Sequence, residues 1–204
     1  MISSNLIGGT TGYLLERQRR LLFVHERELE EEREYHLKRS LHDPLTGLPN
    51  RELLYDRLRQ AISQGARNNE CHAGFFIDLD GFKPVNDRMG HKAGDRILIE
   101  VGERLSASVR KSDTVARLGG DEFFVLAIGL EDKNDACGLA EKLLAAMREP
   151  FPGVPAELAL RASVGICLFP FPGVMPSSVI HRADMAMYEA KENLKDGYCL
   201  APEG

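Results

Sequence analysis

A double glycine, Gly119 and Gly120, separates two runs of β-type residues and constrains the fold more than any other feature of the sequence. The runs, Thr114–Leu118 and Phe123–Ile128, are rich in branched and aromatic side chains, so the pattern predicts an antiparallel hairpin. Another predicted strand, Ala73–Leu79, is separated from this hairpin by a helix-periodic segment. Because adjacent and helix-separated strands occur together, we expect an α+β sandwich with a mixed or mostly antiparallel sheet. The pattern argues against a doubly wound parallel sheet.

The N-terminal stretch 1–42 differs from the rest of the chain. After residue 12 it contains no Gly or Pro and is dense in Glu, Arg and Leu. Leu15, Leu22 and Leu29 recur at seven-residue spacing, which is typical of a helix that packs on a partner helix. The intervening d-like positions are Gln18, His25 and Glu32, which are polar, so a single solvated helix and a parallel coiled coil both stay open. We expect an N-terminal linker followed by a signalling helix.

A turn-rich segment, His42–Arg51, contains two prolines and a glycine, so the leading helix must end there. We therefore expect a globular domain at 43–204. Its loop Phe169–Ser178 has no assigned role. The remaining predicted elements are helices at Arg51–Gln64, Ala93–Arg110, Asp132–Arg148 and Ser177–Asn193 and strands at Leu158–Leu168 and Tyr198–Leu200.

Composition limits what the domain can bind. The chain carries 26 Lys and Arg against 31 Asp and Glu, a formal charge of -5, which argues against a broad, nonspecific nucleic-acid surface. No apolar run approaches the roughly 20 residues needed to cross a bilayer, and the N-terminus lacks the pattern of a signal peptide. The four cysteines are scattered, without the close pairs of zinc or redox sites. We expect a cytoplasmic protein with reduced thiols and no membrane segment in this chain.

Two acidic clusters follow predicted strands and are the candidates for chemistry. Asp78 and Asp80 close one strand, and residues i and i+2 of a strand share a face, so these two can share a site. Asp121 and Glu122 follow the double glycine directly and need an irregular turn to do the same. Carboxylates gathered from separate strands repel each other unless a cation lies between them, and hard oxygen ligands favour Mg²⁺ or Mn²⁺. Turn-forming acids with surface ion pairs are the alternative.

The double glycine also removes two side chains beside the acids, which lets a bulky ligand approach the backbone. The string GGDEF at 119–123 resembles the signature of the GGDEF family of diguanylate cyclases. The resemblance covers residues 40 to 201 and implies a nucleotidyl-cyclase, palm-like sandwich. Five further strings resemble family motifs in the same order: DPLTGLPNR at 43–51, DLDGFKPVND at 78–87, GHKAGD at 90–95, SVGICLFP at 163–170 and ADMAMYEAK at 183–191.

The resemblance implies a reaction in which two GTP molecules condense to cyclic di-GMP and release two pyrophosphates. Each subunit of a homodimer would hold one GTP, and each 3′-hydroxyl would attack the α-phosphate of the other. Carried over position by position, Asp78 and Asp121 would ligate Mg²⁺ with help from the Leu79 carbonyl, and Glu122 would activate the 3′-hydroxyl. Catalysis of this kind depends on positioning and on neutralisation of charge.

The same resemblance assigns the residues that contact the substrate. Gly119 and Gly120 are among them, because they let the ligand approach the backbone. Asn86 and Asp95 match residues that read guanine and select against adenine, because unpaired buried polar groups are costly. Lys83 and Lys191 match cations that contact phosphates. Four residues after Lys191 the family often has an arginine, and Lys195 keeps that charge without the bidentate fork. Helix caps and exposed helix lysines are the structural alternatives.

Arg110 and Asp113 fit the RxxD pattern that in the family marks an allosteric I-site, where product binds and inhibits. An arginine fork suits guanine and phosphate, and a helix cap with a local ion pair is the alternative. Lys142 is a candidate for a cation that completes the site. The resemblance thus predicts a product-inhibited cyclase that an upstream sensor controls through the N-terminal helix. A non-catalytic receptor for cyclic di-GMP and a dimerisation module are the alternatives.

Overall fold

The structure is a computed structural model that describes residues 23, 25, 27, 40–68, 70–158 and 160–202. In the N-terminal part, residues 23, 25, 27 and 40 are helical. Most of the predicted signalling helix lies outside the described residues, so it stays a prediction. The chain divides into two units, Met1–Ser40 and Leu41–Gly204, and every element named below belongs to the second.

The described part of the second unit contains five α-helices and five strands, with two helices in succession after the first strand and two strands in succession after those helices. The helices are α1 (Arg51–Asn68), α2 (Phe82–Met89), α3 (His91–Ser108), α4 (Lys133–Arg148) and α5 (Pro176–Asn193). The strands are β1 (Cys71–Asp80), β2 (Thr114–Gly119), β3 (Glu122–Leu130), β4 (Arg161–Phe169) and β5 (Tyr198–Leu200), and a 3₁₀ turn at Ala156–Leu158 precedes β4. Each strand and each helix except α2 corresponds to a predicted element. Among the described residues, no helix combines the length and apolar character needed to cross a membrane.

The strands form one sheet in the order β2-β3-β1-β4-β5, with β1 at its centre. β1 pairs antiparallel with β3 and β4, and β2 pairs antiparallel with β3. β5 runs parallel to β4. The predicted hairpin around the double glycine is β2–β3, and the α+β class with a mostly antiparallel sheet flanked by helices is confirmed.

Each face of the sheet has its own apolar core. Helices α2, α3 and α4 pack on one face, where Phe75 and Ile77 of β1 are buried. Helices α1 and α5 pack on the other, which receives Phe76 of β1 and Phe124 of β3. Successive side chains of β1 therefore enter opposite cores, which explains why this strand reads as a continuous apolar run rather than an alternating one.

Helix α5 lies close to the sheet because β4 has a glycine beneath it. A Cβ at Gly165 would overlap with the backbone of Ala183 and Met187, and both of these residues are buried on α5. Gly165 thus sets the distance between helix and sheet. It thereby fixes where the later residues of α5 reach the end of the central strands.

Two segments differ from the expectation. Helix α2 escapes prediction because it has only eight residues, starts one residue after β1 and contains Pro84 in its first turn, so it shows no periodic pattern. Gly81, with a left-handed φ of 84°, turns the chain from strand to helix. The strand expected from Leu158 begins only at Arg161, because the preceding residues form the 3₁₀ turn.

Candidate active site

The predicted catalytic carboxylates meet at one end of the central strands. Asp78 lies near the end of β1, and the antiparallel register places it opposite Glu122, the first residue of β3. Asp121 occupies the turn just before β3. Asp80 follows Asp78 by two residues and so shares its face of β1. The fold therefore gathers two acidic clusters that are far apart in the sequence.

A lysine from α5 lies among these acids. The Nζ of Lys191 is 2.5 Å from Oδ1 of Asp78 and 3.8 Å from Oδ1 of Asp80. Burial alone would lower the pKa of Lys191, but its hydrogen bond to Asp78 and the charges of Asp80 and Asp121 outweigh this and raise it. The hydroxyl of Ser163, on β4, donates to Oδ2 of Asp80 at 2.7 Å. Ser163 is a contact that the sequence did not predict, although it begins one of the matching strings.

The site is partly buried and dense in negative charge. Burial raises the pKa of Asp121, and repulsion from Asp78 adds to this, while Lys191 acts in the opposite direction. Burial likewise raises the pKa of Glu122, and the carboxylates of Asp184 and Asp78 add to it. Asp184 comes from α5 and is a second neighbour that the sequence did not predict. The charges are therefore only partly compensated by groups of the protein itself.

The donor set suits a hard divalent cation that shares its shell with a phosphate. Asp78 and Asp121 supply carboxylate oxygens, the ligands that Mg²⁺ prefers. Over the part of the chain that is described, no group of three or more His, Cys, Asp or Glu side chains is arranged to hold a metal ion. Mg²⁺ is commonly held by one or two carboxylates, with phosphate oxygens and water completing the shell. The residues present fit a cation that binds together with a nucleotide.

The turn between β2 and β3 depends on its two glycines. Gly119 and Gly120 have φ values of 142° and 55°, a region that favours glycine. A Cβ on either residue would meet nothing within 4 Å, so the requirement is for the backbone conformation. The open space around both residues also leaves access for a ligand, as the sequence predicts.

Arg117 of β2 holds this turn in place. Its Nε and Nη2 donate to the carbonyl of Gly120 at 3.1 and 2.8 Å. Its Nη1 donates to both carboxylate oxygens of Asp43 at 3.0 and 3.1 Å. Burial alone would raise the pKa of Asp43, but hydrogen bonds from Thr46 and the pairing with Arg117 outweigh this and lower it. Arg117 therefore links the first loop of the domain to the turn that contains Gly119 and Gly120.

The predicted base-contacting residues lie on α2 and α3, which follow β1. Asn86 is in α2 and Asp95 is in α3, and the two helices are joined through Gly90, whose N–H donates to the Asn86 carbonyl at 2.9 Å. Oδ1 of Asn86 is buried and has no hydrogen-bond partner among the described residues. Asp95 and Lys83 are exposed. An unpaired buried acceptor is rare in folded proteins and suits a ligand that brings a donor.

Lys195 lies in a different setting from Lys191. Helix α5 ends at Asn193, and Lys195 follows in a tight turn with a left-handed φ of 48° and an exposed side chain. Its N–H donates to the carbonyl of Ala190 at 3.0 Å. The structure therefore does not place Lys195 one helical turn beyond Lys191, because the helix has already ended.

The RxxD turn lies at the opposite end of the β2–β3 hairpin. Asp113 accepts hydrogen bonds from the backbone N–H of Arg110 at 2.9 Å and of Ile128 at 3.3 Å. The Arg110 side chain is exposed, and both residues line a cavity of about 610 Å³. Nζ of Lys142 donates to the carbonyl of Ser108 at 2.6 Å, at the end of α3. Arg110, Asp113 and Lys142 of one chain thus lie around a second cavity of about 290 Å³.

Comparison with known proteins agrees with this arrangement. Residues 40–196 match the family model described as "Diguanylate cyclase, GGDEF domain". The chain is 51% identical over 161 residues to the "Bifunctional diguanylate cyclase/cyclic di-GMP phosphodiesterase MucR" of Pseudomonas aeruginosa, covering 79% of this chain and 23% of MucR. It is 41% identical to the diguanylate cyclase TpbB of the same species, covering 78% of this chain and 37% of TpbB. The chain therefore spans well under half the length of these relatives.

Solved structures give the same result. The GGDEF domain of TpbB superposes with a TM-score of 0.73 at 40% identity, covering 79% of this chain and 94% of that one. The coiled coil and GGDEF domain of DgcB from Caulobacter crescentus, in complex with c-di-GMP, gives a TM-score of 0.83 at 25% identity, covering 92% of this chain and 99% of that one. A family match that spans most of the sequence, with relatives named diguanylate cyclases, establishes that this chain belongs to the GGDEF family.

Proposed function

We propose that this domain is a diguanylate cyclase that condenses two GTP molecules into cyclic di-GMP and releases two pyrophosphates. The observation that carries the proposal is the meeting of Asp78, Asp121 and Glu122 around Lys191 at the end of the central strands. The similarity to relatives named diguanylate cyclases supports it. MucR is also named a cyclic di-GMP phosphodiesterase, and this chain matches 23% of that protein.

The triphosphate would be bound at the acidic end of the sheet. Asp78 and Asp121, with the Leu79 carbonyl, would hold Mg²⁺ or Mn²⁺, and such a cation, when bound, neutralises phosphate charge and assists proton loss from a coordinated hydroxyl. Without a nucleotide, the positive charge of Lys191 pairs with Asp78, where the metal cation would bind. We expect Lys191 to turn to the phosphates when the nucleotide binds. We assign Lys83, Lys195 and the open turn at Gly119 and Gly120 to the same triphosphate.

Asn86 and Asp95 would read the base. Guanine presents two neighbouring donors, N1–H and the 2-amino group, and both residues offer acceptor oxygens. Adenine has no donor pair on that edge, so its binding would leave the buried Oδ1 of Asn86 unpaired. The cost of that unpaired acceptor is the physical basis for selection of GTP.

Glu122 would act as the general base. Burial and the carboxylates of Asp184 and Asp78 raise its pKa, which makes it a better proton acceptor than an exposed glutamate. Its carboxylate would take the proton from the 3′-hydroxyl as that oxygen attacks the α-phosphate of the nucleotide in the facing subunit. Position and charge neutralisation supply the rest of the rate enhancement.

Each site would hold one GTP, so two domains must face each other. We assign residues 1–42 to a linker and signalling helix that pairs the domains 43–204 and couples them to an upstream sensor. The match of this chain to a structure that contains both a coiled coil and a GGDEF domain supports this division. We place the domain in the cytoplasm, where GTP is available.

Incubation of the purified chain with GTP and Mg²⁺, followed by chromatography of the nucleotides, tests the proposal. We expect cyclic di-GMP and pyrophosphate, no product from ATP, and a rate that rises more than linearly with protein concentration because dimers form. Absence of the dinucleotide at high protein concentration would refute the cyclase. A strictly linear rate across the range where dimers dissociate would refute the requirement for two domains.

Binding of the product at Arg110 and Asp113 is a second function that one observation favours. The backbone already holds the Asp113 carboxylate in place, and the Arg110 side chain beside it is exposed at a cavity. We expect added cyclic di-GMP to bind there and inhibit synthesis. Calorimetric binding without any synthesis from GTP would instead identify the chain as a receptor.

A further inference from the structure

Gly94 lies where helix α3 crosses helix α2, next to the Asn86 carboxamide. It is buried in the first turn of α3, and glycine is a weaker helix former than alanine. A Cβ at this residue would overlap with Oδ1 of Asn86, and would lie 2.9 Å from Cγ of Asn86 and 3.2 Å from Cζ of Phe82. Its φ is outside the left-handed region that favours glycine, so the requirement is for space.

The space that Gly94 leaves is occupied by the one atom of Asn86 that lacks a partner. Oδ1 is buried without a hydrogen-bond partner among the described residues, so its position carries a cost in the free protein. Phe82, which borders the same space, is 8% exposed, and Val85, the residue before Asn86 on α2, is 0% exposed. The chain thus keeps a helix-weakening residue where it allows an acceptor to stay buried and unpaired.

We propose that Gly94 is a specificity-determining residue, which positions the Asn86 acceptor for a purine base that brings a donor to it. This inference rests on the proposed function and names a residue that acts through another. With any larger residue at 94, the carboxamide must rotate or leave its place, and the base then loses one of its two proposed acceptors. The preference for guanine over adenine falls with it, whereas the triphosphate contacts at the end of β1 stay intact.

Binding of 3′-deoxy-GTP and 3′-deoxy-ATP with Mg²⁺ to the full chain, measured by calorimetry, tests this. These nucleotides lack the attacking hydroxyl, so turnover does not interfere. We expect Gly94→Ala to weaken 3′-deoxy-GTP at least tenfold and to leave the weak binding of 3′-deoxy-ATP unchanged. Asn86→Ala should have the same effect, and the double variant Asn86→Ala, Gly94→Ala should bind no more weakly than Asn86→Ala alone, because the overlap is gone.

Gly138→Ala on α4 is the matched control, since a Cβ there meets nothing within 4 Å, and it should bind like the parent. If Gly94→Ala alone does not fold, circular dichroism of the double variant decides: refolding on removal of the Asn86 side chain confirms the steric link, and failure of both overturns it. A folded Gly94→Ala with the parental preference, or an equal further loss in the Asn86→Ala background, also overturns the inference. If the parent itself does not prefer 3′-deoxy-GTP, the proposed function fails first.

Discussion

Asp113 and Asp121 lie at opposite ends of the β2–β3 hairpin, and their surroundings differ in kind. The carboxylate of Asp113 accepts two backbone N–H groups, from Arg110 and Ile128, at 2.9 and 3.3 Å. Asp121 faces the like charge of Asp78, and burial and that charge both raise its pKa. One acid is compensated by hydrogen bonds within the fold, whereas the other lies beside a like charge that Lys191 and Arg117 offset only in part.

The difference has a general meaning for acidic turns. A carboxylate that accepts backbone N–H groups stabilises the folded chain, and its removal leaves donors unpaired. Carboxylates that are gathered at a partly buried site repel one another, so they cost stability until a ligand arrives. The effect of a substitution on stability should therefore distinguish structural acids from catalytic ones, even where both follow a strand.

The largest expected effect is on turnover at the acidic end. Glu122→Gln removes the proton acceptor but keeps the shape, so we expect the rate of cyclic di-GMP synthesis to fall by about 10³, with GTP binding retained. Thermal stability should stay equal or rise, because a negative charge leaves a repelling cluster. Product chromatography and thermal unfolding measure the two quantities. Glu131→Gln, an exposed residue just beyond the other end of β3, is the control. A marked loss of stability in Glu122→Gln would make this acid structural and break the comparison.

The next effect concerns the link between the first loop and the turn at Gly119 and Gly120. Arg117→Lys keeps the charge but loses the fork that binds both Asp43 and the Gly120 carbonyl. Because the Arg117 and Asp43 side chains are only 11% and 17% exposed, we expect a loss of about 2 kcal/mol in the free energy of unfolding. We also expect a roughly tenfold lower rate, since the turn that carries the acids moves.

A surface pair provides the control for this variant. Arg148→Lys alters an ion pair with Asp196 in which the arginine is 49% exposed, and such pairs contribute about 0–1 kcal/mol. Urea unfolding and synthesis assays on both variants compare them directly. Equal losses of stability in the two variants would mean that Arg117 is an ordinary ion-pair residue. A synthesis rate of Arg117→Lys equal to that of the parent would mean that Arg117 does not position the turn.

At the other end of the hairpin the expected effect is on stability. Asp113→Ala leaves two backbone N–H groups without their acceptor, so we expect a loss of about 1–2 kcal/mol in the free energy of unfolding. Arg110→Ala removes an exposed side chain and should change stability by less than about 0.5 kcal/mol. If the pair binds product, both variants lose inhibition by cyclic di-GMP while the synthesis rate without product is kept. Equal stability losses, or full inhibition of Arg110→Ala, would contradict this assignment.

The sequence predicts the acids of this comparison but not their surroundings. The hairpin, the strand before Asp78 and the positions of the acids can be predicted from local sequence patterns, since they depend on residues that are neighbours in the chain. The Arg117–Asp43 pair joins residues 74 positions apart, so no local sequence pattern predicts their contact. From the sequence, Gly94 is only a poor helix former, and its role in leaving space for Asn86 becomes visible only in the packing of the two helices. Helix α2 is too short to show a period.

The far end of β1 extends the comparison to a neutral polar group, and here the smallest effect is expected. His72 is 1% exposed, and its Nδ1 accepts the N–H of Gly129 at 3.0 Å. Burial lowers the pKa of His72 below its ordinary value, with the charge of Glu70 acting in the opposite direction. The folded state therefore prefers neutral His72, so the contribution of His72 to stability is complete above about pH 6.5 and is lost as the pH falls towards the lowered pKa.

Between pH 6.5 and 5.5 we expect the parent to lose up to about 1 kcal/mol more free energy of unfolding than His72→Gln. Urea unfolding at both pH values measures this difference, and His181→Gln, an exposed histidine on α5, should follow the parent. Parallel pH curves for the parent and His72→Gln would mean that protonation of His72 costs the folded state no stability.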